Sequence, residues 1–183
     1  TGDEVIVPTH TFIGTVTPVL HQNAIPVFAD IDLDTFNIEP ESIEEVITKK
    51  TKAIIPVHLN GHPAEMDGIM KIAKEHGLIV IEDACQAHGA EYKGRKVGTI
   101  GGLGCFSFWE DKIITTGGEG GMIITNIDEL AERARFIRHH GETETKKGEE
   151  RKYYHSMLGY NYRMTEMQAA IGLVQFSKLD SYL

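Results

Sequence analysis

Lys112 stands at the junction of two apolar segments in the stretch CFSFWEDKIITTGGEGGMIIT, residues 105–125, and a glycine-rich turn follows it. A lysine in such a setting either extends its ammonium group to water or is retained for its amine, which forms Schiff bases when it is buried. For Lys112 alone the first interpretation is favoured. Other residues with matching chemistry change that balance.

Asp83 and Ser107 are the residues that favour a retained amine at Lys112. Asp83 ends the apolar run LIVIED, where a partly desolvated carboxylate suits a buried cation, although a lone aspartate there is more often a turn or helix cap. Ser107 precedes Lys112 by five residues, and hydroxyl and glycine N–H groups hold anions. A carboxylate, a hydroxyl, a glycine-rich turn and an amine are together what pyridoxal phosphate needs for its pyridine nitrogen, its phosphate and its aldehyde.

The elements that position these groups follow a regular alternation. Four short apolar runs bounded by turn signals recur at intervals of about 25 residues, as buried strands do. Segments with helical periodicity lie between them, and the last of these closes on a glycine. The pattern predicts a three-layer α/β/α fold with a mainly parallel sheet. The runs are EVIVPT, IPVFADID, KAIIPVHLNG and LIVIEDA, and the helical segments are TFIGTVTPVLHQNA, PESIEEVITKK and EMDGIMKIAKEHG.

The second half of the chain has a different pattern of predicted elements. After the polar turn EYKGRKVGTIG, the segments LGCFSFW and MIITN predict two strands joined by a tight connection, with Lys112 at the break between them. The remaining predicted elements are a helix from about Asp128, the charged loop GETETKKGEERK, and a helix that opens at Thr165 and Glu166 and runs through MQAAIGLVQFSKLDSYL.

Polar residues directly after the strands are the first candidates for a site, because ligands gather beyond the carboxyl ends of parallel strands. For His88 a histidine satisfied by backbone groups is favoured over a pocket residue. For His58 both interpretations stay open. The candidates are Thr9, His10 and Thr11, then His58 and Asn60, then Glu82, Asp83 and Gln86, and finally Ser107 to Lys112.

Composition excludes several classes of protein. The 183 residues are 41% hydrophobic and 25% charged, which suits one globular domain, and the net charge of −9 makes nucleic acid an unfavourable partner. No apolar run approaches the roughly 20 residues that cross a bilayer, so we expect a cytoplasmic protein without a membrane partner. Cys85 and Cys105 lie in no zinc-binding spacing, so we expect reduced core thiols and no metal site.

The chain resembles the DegT/StrS family of pyridoxal phosphate-dependent sugar aminotransferases, within the fold type I, aspartate aminotransferase-like superfamily. The similar stretches follow the order of that family over nearly the whole chain. They are GDEVIVPTHTFIGT, IPVFADID, PVHLNGHPAEMD, IEDACQAHGAEYKGRKVG, CFSFWEDKIITTGGEGGMI and LGYNYRMTEMQAAIGLVQ.

The resemblance implies a role for each of six residues. Lys112 would bind the cofactor covalently and Asp83 would pair with its pyridine nitrogen, so these two would be catalytic. The other four would only bind the cofactor: Ser107 its phosphate, Gln86 its ring hydroxyl, Phe12 the face of its ring, and Asn161 the phosphate in a neighbouring subunit. A homodimer with shared active sites is therefore implied.

The resemblance also implies a reaction. Family members mostly transfer an amino group from glutamate or glutamine to a keto group of a nucleotide-linked sugar, in cell-surface polysaccharide or natural-product biosynthesis. Relatives that remove a hydroxyl group carry histidine at the position of Lys112, so lysine favours transamination. The alternatives are a non-catalytic or regulatory protein that keeps the fold, and another fold type I reaction such as β-elimination or desulfuration.

The extent of the chain implies an incomplete large domain. Residues 1–183 resemble the central part of the cofactor-binding domain, whereas family members also have an N-terminal segment and a C-terminal small domain. A sheet without those flanks is expected to expose apolar surface.

Overall fold

The computed structural model describes residues 1–143, 148, 150 and 153–183. Most of the predicted charged loop GETETKKGEERK lies outside these residues. Six strands form one sheet in the order β2-β1-β3-β4-β7-β8, in which all neighbours are parallel except β7 and β8. The strands are β1 (Glu4–Pro8), β2 (Ile25–Ala29), β3 (Thr51–Ile54), β4 (Ile79–Asp83), β5 (Glu91–Tyr92), β6 (Arg95–Lys96), β7 (Leu103–Ser107) and β8 (Gly121–Ile124).

In the described part of the chain, two short 3-10 helices and three α-helices lie between these strands, and three more α-helices follow β8. The longest central helix ends as predicted, because Gly77 takes a left-handed conformation with φ of 65° and donates its N–H to the Ala73 carbonyl. The helices are α1 (Thr17–His21), α2 (Pro40–Val46), α3 (Met66–His76), α4 (Asp128–Arg138), α5 (Glu166–Phe176) and α6 (Leu179–Tyr182), and the 3-10 helices are Ile13–Thr15 and Leu59–Gly61.

The sheet has helices on both faces, which confirms the predicted three-layer α/β fold. Alternate residues of a strand point to opposite faces. On β1, Ile6 belongs to a large buried cluster that includes Ile43 of α2 and Ile69 of α3. Val7 belongs instead to a second cluster with Val16 and with Val19 of α1. The apolar strand runs therefore reflect burial on both sides.

Three local predictions are wrong. The segment TFIGTVTPVLHQNA is not one helix but a 3-10 turn and a short α-helix that meet at Val16, with Pro18 in the first turn of α1, where its missing N–H is tolerated. β7 and β8 are antiparallel, but residues 108–120 connect them rather than a tight turn. The segment EYKGRKVGTIG holds a small hairpin of β5 and β6 instead of a simple turn.

Large apolar side chains lie exposed at the β8 edge and along α5. Met122 and Ile123 of β8 are 52% and 56% exposed, and Leu173 and Phe176 of α5 are 71% and 65% exposed. Such a surface is larger than scattered single residues and marks a contact region. Among the described residues, no helix is both long and apolar enough to span a bilayer.

Candidate active site

The carboxyl ends of β4 and β7 bring the central candidates together. These strands are parallel neighbours, and Asp83 is paired with Cys105 in their register. Ser107 lies two residues beyond Cys105, so it projects from the same face of the sheet. The predicted strand-end aspartate and serine thus share one edge and one face.

Two hydrogen bonds fix the Asp83 carboxylate. Its Oδ2 atom accepts from the Thr15 hydroxyl at 2.8 Å, and its Oδ1 atom accepts from the Cys85 backbone N–H at 3.1 Å. Since Thr15 donates its only proton to Asp83, the Thr11 hydroxyl, 2.7 Å from Thr15, donates in turn to Thr15. Thr15 is almost fully buried. A relay of two hydroxyl groups therefore sets the orientation of the carboxylate.

Lys112 is half-buried and lies in the same neighbourhood as Asp83. Burial raises the pKa of the Cys85 thiol, the Asp83 carboxylate raises it further, and the Lys112 ammonium opposes both. One thiol thus lies within reach of both charges. The Lys112 Nζ atom lies 6.0 Å from the centre of the Trp109 ring.

Both cysteines are free thiols that border this region. Burial, and secondarily Asp83, raise the pKa of Cys105 to about 11. The Cys85 thiol lies 3.6 Å from the Cys105 carbonyl oxygen, to which it donates. Because thiolates are the reactive form, two thiols with raised pKa values are poor nucleophiles. They are half-buried rather than core residues, and in the described part of the chain no group of three metal-binding side chains forms.

Both oxygen atoms of Ser107 accept hydrogen bonds. Its hydroxyl oxygen accepts from the Trp109 N–H at 3.2 Å, which leaves the hydroxyl proton for an anion. Its carbonyl oxygen accepts from Nε2 of His88 at 2.8 Å. The bond with Ser107 agrees with the interpretation of His88 as a histidine bonded to the backbone, although only one of its ring nitrogens is satisfied.

The glycine-rich turn is shaped by its own contacts. Gly117 and Gly118 have φ angles of 82° and 139°, which side-chain-bearing residues rarely adopt. A Cβ atom on Gly120 would lie 2.2 Å from the Thr116 hydroxyl, which itself donates to the Glu119 carbonyl. The turn therefore requires glycine at two positions for the backbone conformation and at a third for the space beside Thr116.

Gln86 and Phe12 line the same edge in different ways. The Gln86 Oε1 atom accepts from the Asn60 N–H at 2.7 Å, so its amide nitrogen is left to donate to a ligand oxygen. Phe12 directly precedes the 3-10 helix that carries Thr15, and its ring is 72% exposed. An exposed ring on a segment tied to Asp83 is available to stack on a planar group.

Asn161 lies on the segment between α4 and α5. It is exposed and pairs through a backbone bridge with His139, at the end of α4. The ring of His139 accepts from Arg163 at 2.7 Å and contacts the Glu142 carboxylate at 3.3 Å. The structure thus fixes the backbone around Asn161 through contacts with the end of α4.

His58 and Glu82 have a structural task that the sequence does not reveal. Both side chains are fully buried, and His58 Nε2 donates to the Glu82 carboxylate at 2.9 Å while its Nδ1 accepts from the Ala64 N–H. Glu82 also accepts from the backbone N–H groups of residues 98, 100 and 101. Both ring nitrogens of His58 are therefore occupied, which removes it from the ligand-binding candidates. Only its partners, distant in sequence, show this.

The donor set fits pyridoxal phosphate. A fixed carboxylate suits a pyridinium nitrogen, and a hydroxyl beside a glycine-rich turn suits a phosphate. An amine near both suits an aldehyde. Asp83, Ser107 and Lys112 provide these groups around the ends of β4 and β7.

Comparisons with known proteins agree with this chemistry. A model of the DegT/DnrJ/EryC1/StrS aminotransferase family matches residues 1–183. The chain is 53% identical over 181 residues to a pleiotropic regulatory protein of Geobacillus stearothermophilus, covering 99% of the chain and 47% of that protein. It is 48% identical over 182 residues to a GDP-perosamine synthase of Caulobacter vibrioides, covering 100% and 47%. The chain spans about half the length of the curated relatives it matches.

Solved structures show the same likeness. The X-ray structure of an aminotransferase from Psychrobacter cryohalolentis superposes with a TM-score of 0.93 at 49% sequence identity, covering 99% of this chain and 47% of that one. At this identity the fold is shared.

Proposed function

The chain belongs to the DegT/DnrJ/EryC1/StrS aminotransferase family, and on that premise we propose that it acts within a pyridoxal phosphate-dependent aminotransferase. The observation that carries the proposal is the register of β4 and β7, which brings Asp83 and Ser107 to one face at the carboxyl edge of the sheet, where α/β enzymes bind ligands. Lys112 follows Ser107 by five residues, on the loop that leaves this edge. Residues 1–183 then represent the central part of the cofactor-binding domain.

Each residue has a distinct task in this proposal. When bound, pyridoxal phosphate supplies an electron sink for the bonds at the carbon that carries the amino group. The Asp83 carboxylate, oriented by Thr15, keeps a proton on the pyridine nitrogen. The Lys112 amine would hold the cofactor through its aldehyde carbon and would serve as the base that takes the proton from the donor's α-carbon.

The remaining residues bind and orient. Ser107 and the glycine-rich turn hold the phosphate, Gln86 donates to the ring hydroxyl, and Phe12 covers the ring face. Asn161 serves the phosphate site of a second subunit, which makes the assembly a homodimer. Its exposed position beside the end of α4 supports this task.

For the substrates we propose a nucleotide-linked keto-sugar and an amino-acid donor, glutamate or glutamine. The relative from Caulobacter vibrioides is a GDP-perosamine synthase, and perosamine is an amino sugar. A reaction of this kind provides amino sugars for cell-surface polysaccharides or natural products. It takes place in the cytoplasm, where nucleotide sugars are made.

A regulatory function is the second candidate. It is favoured by one comparison, the 53% identity to a pleiotropic regulatory protein. The presence of Lys112, Asp83 and Ser107 in one site argues for chemistry instead. Desulfuration is disfavoured because burial keeps Cys85 and Cys105 protonated.

Trapping the cofactor on the protein tests the proposal. Pyridoxal phosphate is added to the purified chain, and to a version carrying the flanking segments that relatives have, before reduction with borohydride and peptide mapping. We expect a pyridoxyl group on Lys112 and its complete loss in Lys112→Ala. Lys71→Ala, at an exposed lysine of α3, is the control and should label normally. Absence of an adduct on Lys112 in the longer version would favour the regulatory function.

A further inference from the structure

His88 carries a polar atom without a partner in the protein interior. The residue is 3% exposed, and its Nδ1 atom is the one buried side-chain nitrogen or oxygen in the described part of the chain that forms no hydrogen bond. Leaving such an atom unpaired costs about 1–3 kcal/mol. Buried polar atoms that stay unpaired often belong to functional sites, where another group completes them.

The state of the ring follows from its other nitrogen. A carbonyl oxygen only accepts, so Nε2 of His88 carries the proton that it donates to the Ser107 carbonyl. Burial lowers the pKa of His88, against the opposing effect of the Ser107 hydrogen bond, and the Lys112 ammonium lowers it further. The ring is therefore neutral near pH 7, and Nδ1 presents a lone pair that requires a donor.

The surroundings of the ring limit which donor this is. The rings of Phe106 and Phe108 lie 5.5 and 6.0 Å from it and offer no polar hydrogen. The Cys85 thiol is already directed at the Cys105 carbonyl. Lys112 has three N–H donors on a flexible side chain, and its charge acts on His88.

We propose that Nδ1 of His88 accepts a hydrogen bond from the Lys112 amine and thereby sets the direction in which that amine points. His88 is then a positioning residue rather than a catalytic one. Because its Nε2 holds the Ser107 carbonyl, the same ring fixes the distance between the phosphate-binding strand end and the reactive amine. This role rests on the proposed function of Lys112, but the proposed hydrogen bond needs no cofactor and can be tested in the cofactor-free protein.

Nitrogen NMR of the cofactor-free protein tests the contact directly. A lone-pair nitrogen that accepts a hydrogen bond resonates at a different frequency from one that does not. In Lys112→Met, which keeps the apolar stem, the His88 Nδ1 signal is expected to move to the frequency of an unbonded nitrogen. The control Lys71→Met should leave it in place. An unchanged signal in Lys112→Met, or an equal movement in both variants, would overturn the proposal.

Two His88 variants separate the role of Nδ1 from that of Nε2. His88→Gln places an amide N–H where Nε2 donates to Ser107 but has no acceptor at the Nδ1 position, whereas His88→Asn has the reverse. We expect the rate of borohydride-trappable adduct formation at Lys112 to fall about tenfold in His88→Gln, which corresponds to the loss of one hydrogen bond. In His88→Asn the rate should be largely kept. Equal losses in both would assign His88 a packing role only.

The two proposals fail in different ways. If the wild-type protein forms no adduct at Lys112, the proposed function fails while the NMR result still decides the contact. If the adduct forms but the Lys112→Met substitution leaves the His88 signal unmoved, the function stands and the positioning role is wrong.

Discussion

At the scale of single residues, the Asp83 carboxylate depends on a hydroxyl group that no sequence motif marks. Thr15 is buried and gives its proton to Asp83 at 2.8 Å. A hydrogen bond to an ionised group is stronger than one between neutral groups. The position of Asp83, the proposed partner of the cofactor's pyridine nitrogen, therefore depends on Thr15.

Replacing Thr15 with valine, which has nearly the same shape, removes this bond without leaving a cavity. We expect Thr15→Val to lower the free energy of unfolding by about 2 kcal/mol, the contribution of a hydrogen bond to a charged group. Cofactor affinity should fall as well, because the Asp83 carboxylate then keeps only the bond from the Cys85 N–H. Chemical denaturation and absorbance titration with pyridoxal phosphate measure the two effects.

Thr17→Val is the matched control. Thr17 donates to the Ile13 carbonyl on the outside of the same segment, so this change should cost about 0.5 kcal/mol or less and leave affinity unchanged. Equal affinities in all three proteins would show that Thr15 has no part in placing Asp83.

The sequence predicts the residues with distinctive chemistry but not their support. Lys112, Asp83 and Ser107 are recognisable because an amine, a carboxylate and a hydroxyl stand at strand ends beside glycines. Thr15 and His88 have no such signal, since a buried threonine or histidine is usual in a core. Their roles depend on partners far away in the chain, which only the fold brings close.

At the scale of elements, one buried carboxylate holds together the segments that carry the site. Glu82 lies next to Asp83 on β4 but points to the interior, where His58 and the N–H groups of Gly98 and Gly101 surround it. It therefore ties β4 to the segment after β3 and to the turn before β7. The strand ends that present Asp83 and Ser107 are aligned by this contact.

Stability should depend on the ionisation of Glu82. Burial alone would raise the pKa of Glu82, but the hydrogen bonds from His58, Gly101 and Gly98 outweigh it and lower the pKa below its ordinary value of 4.5. A carboxylate with a lowered pKa stabilises the fold fully above its unfolded-state value and loses this contribution as the pH falls through the folded-state value. The contribution is thus present at neutral pH and lost in acid.

Glu82→Gln tests this linkage. Its amide group would face several donors with a donor of its own, so we expect a loss of about 3 kcal/mol in the free energy of unfolding at pH 7. The difference from wild type should shrink as the pH is lowered below about 4.5, because wild type then loses the same contribution. Denaturation curves between neutral and acidic pH measure it, and a constant difference would contradict the assignment.

The elements themselves differ in how far the sequence determines them. Buried parallel strands are apolar on both faces, so the four runs before Lys112 are recognisable. The hairpin of β5 and β6 is not, because its strands have two residues each and its polar side chains give no alternation. The only local feature of the sequence that marks this hairpin is Gly94 in its turn. In the structure, Lys93 and Gly94 both have positive φ angles, as a two-residue hairpin turn requires.

The connection between β7 and β8 was predicted to be tight for a similar reason. Glycines usually mark short turns, but here Phe108 bonds to both Gly120 and Thr116 and closes a long loop around Lys112. The pattern of residue types indicates the turn, whereas its length follows from backbone contacts that are not local.

At the scale of the whole molecule, α5 presents apolar side chains to solvent. Met167, Leu173 and Phe176 are each more than three-fifths exposed. An exposed apolar surface of this kind marks a region that a second copy of the chain or another partner covers. The expected exposure of apolar surface agrees with the structure.

Adding charge to this surface should weaken the proposed homodimer. We expect Leu173→Glu to raise the dissociation constant of self-association about tenfold, with little change in folding stability because the side chain is exposed. Sedimentation velocity over a range of protein concentrations measures it. Ser177→Glu adds the same charge at an exposed polar position of the same segment and should have a smaller effect, and equal effects would indicate simple charge repulsion.

The hydrogen bond between Thr15 and Asp83 joins residues that lie 68 positions apart. Closing so long a loop costs entropy before any contact repays it, so such a bond forms late when the chain folds. During synthesis on the ribosome, Thr15 leaves the exit tunnel long before Asp83, and Lys112 follows later still. The proposed cofactor site is therefore completed only after Lys112 has emerged and the strands have assembled.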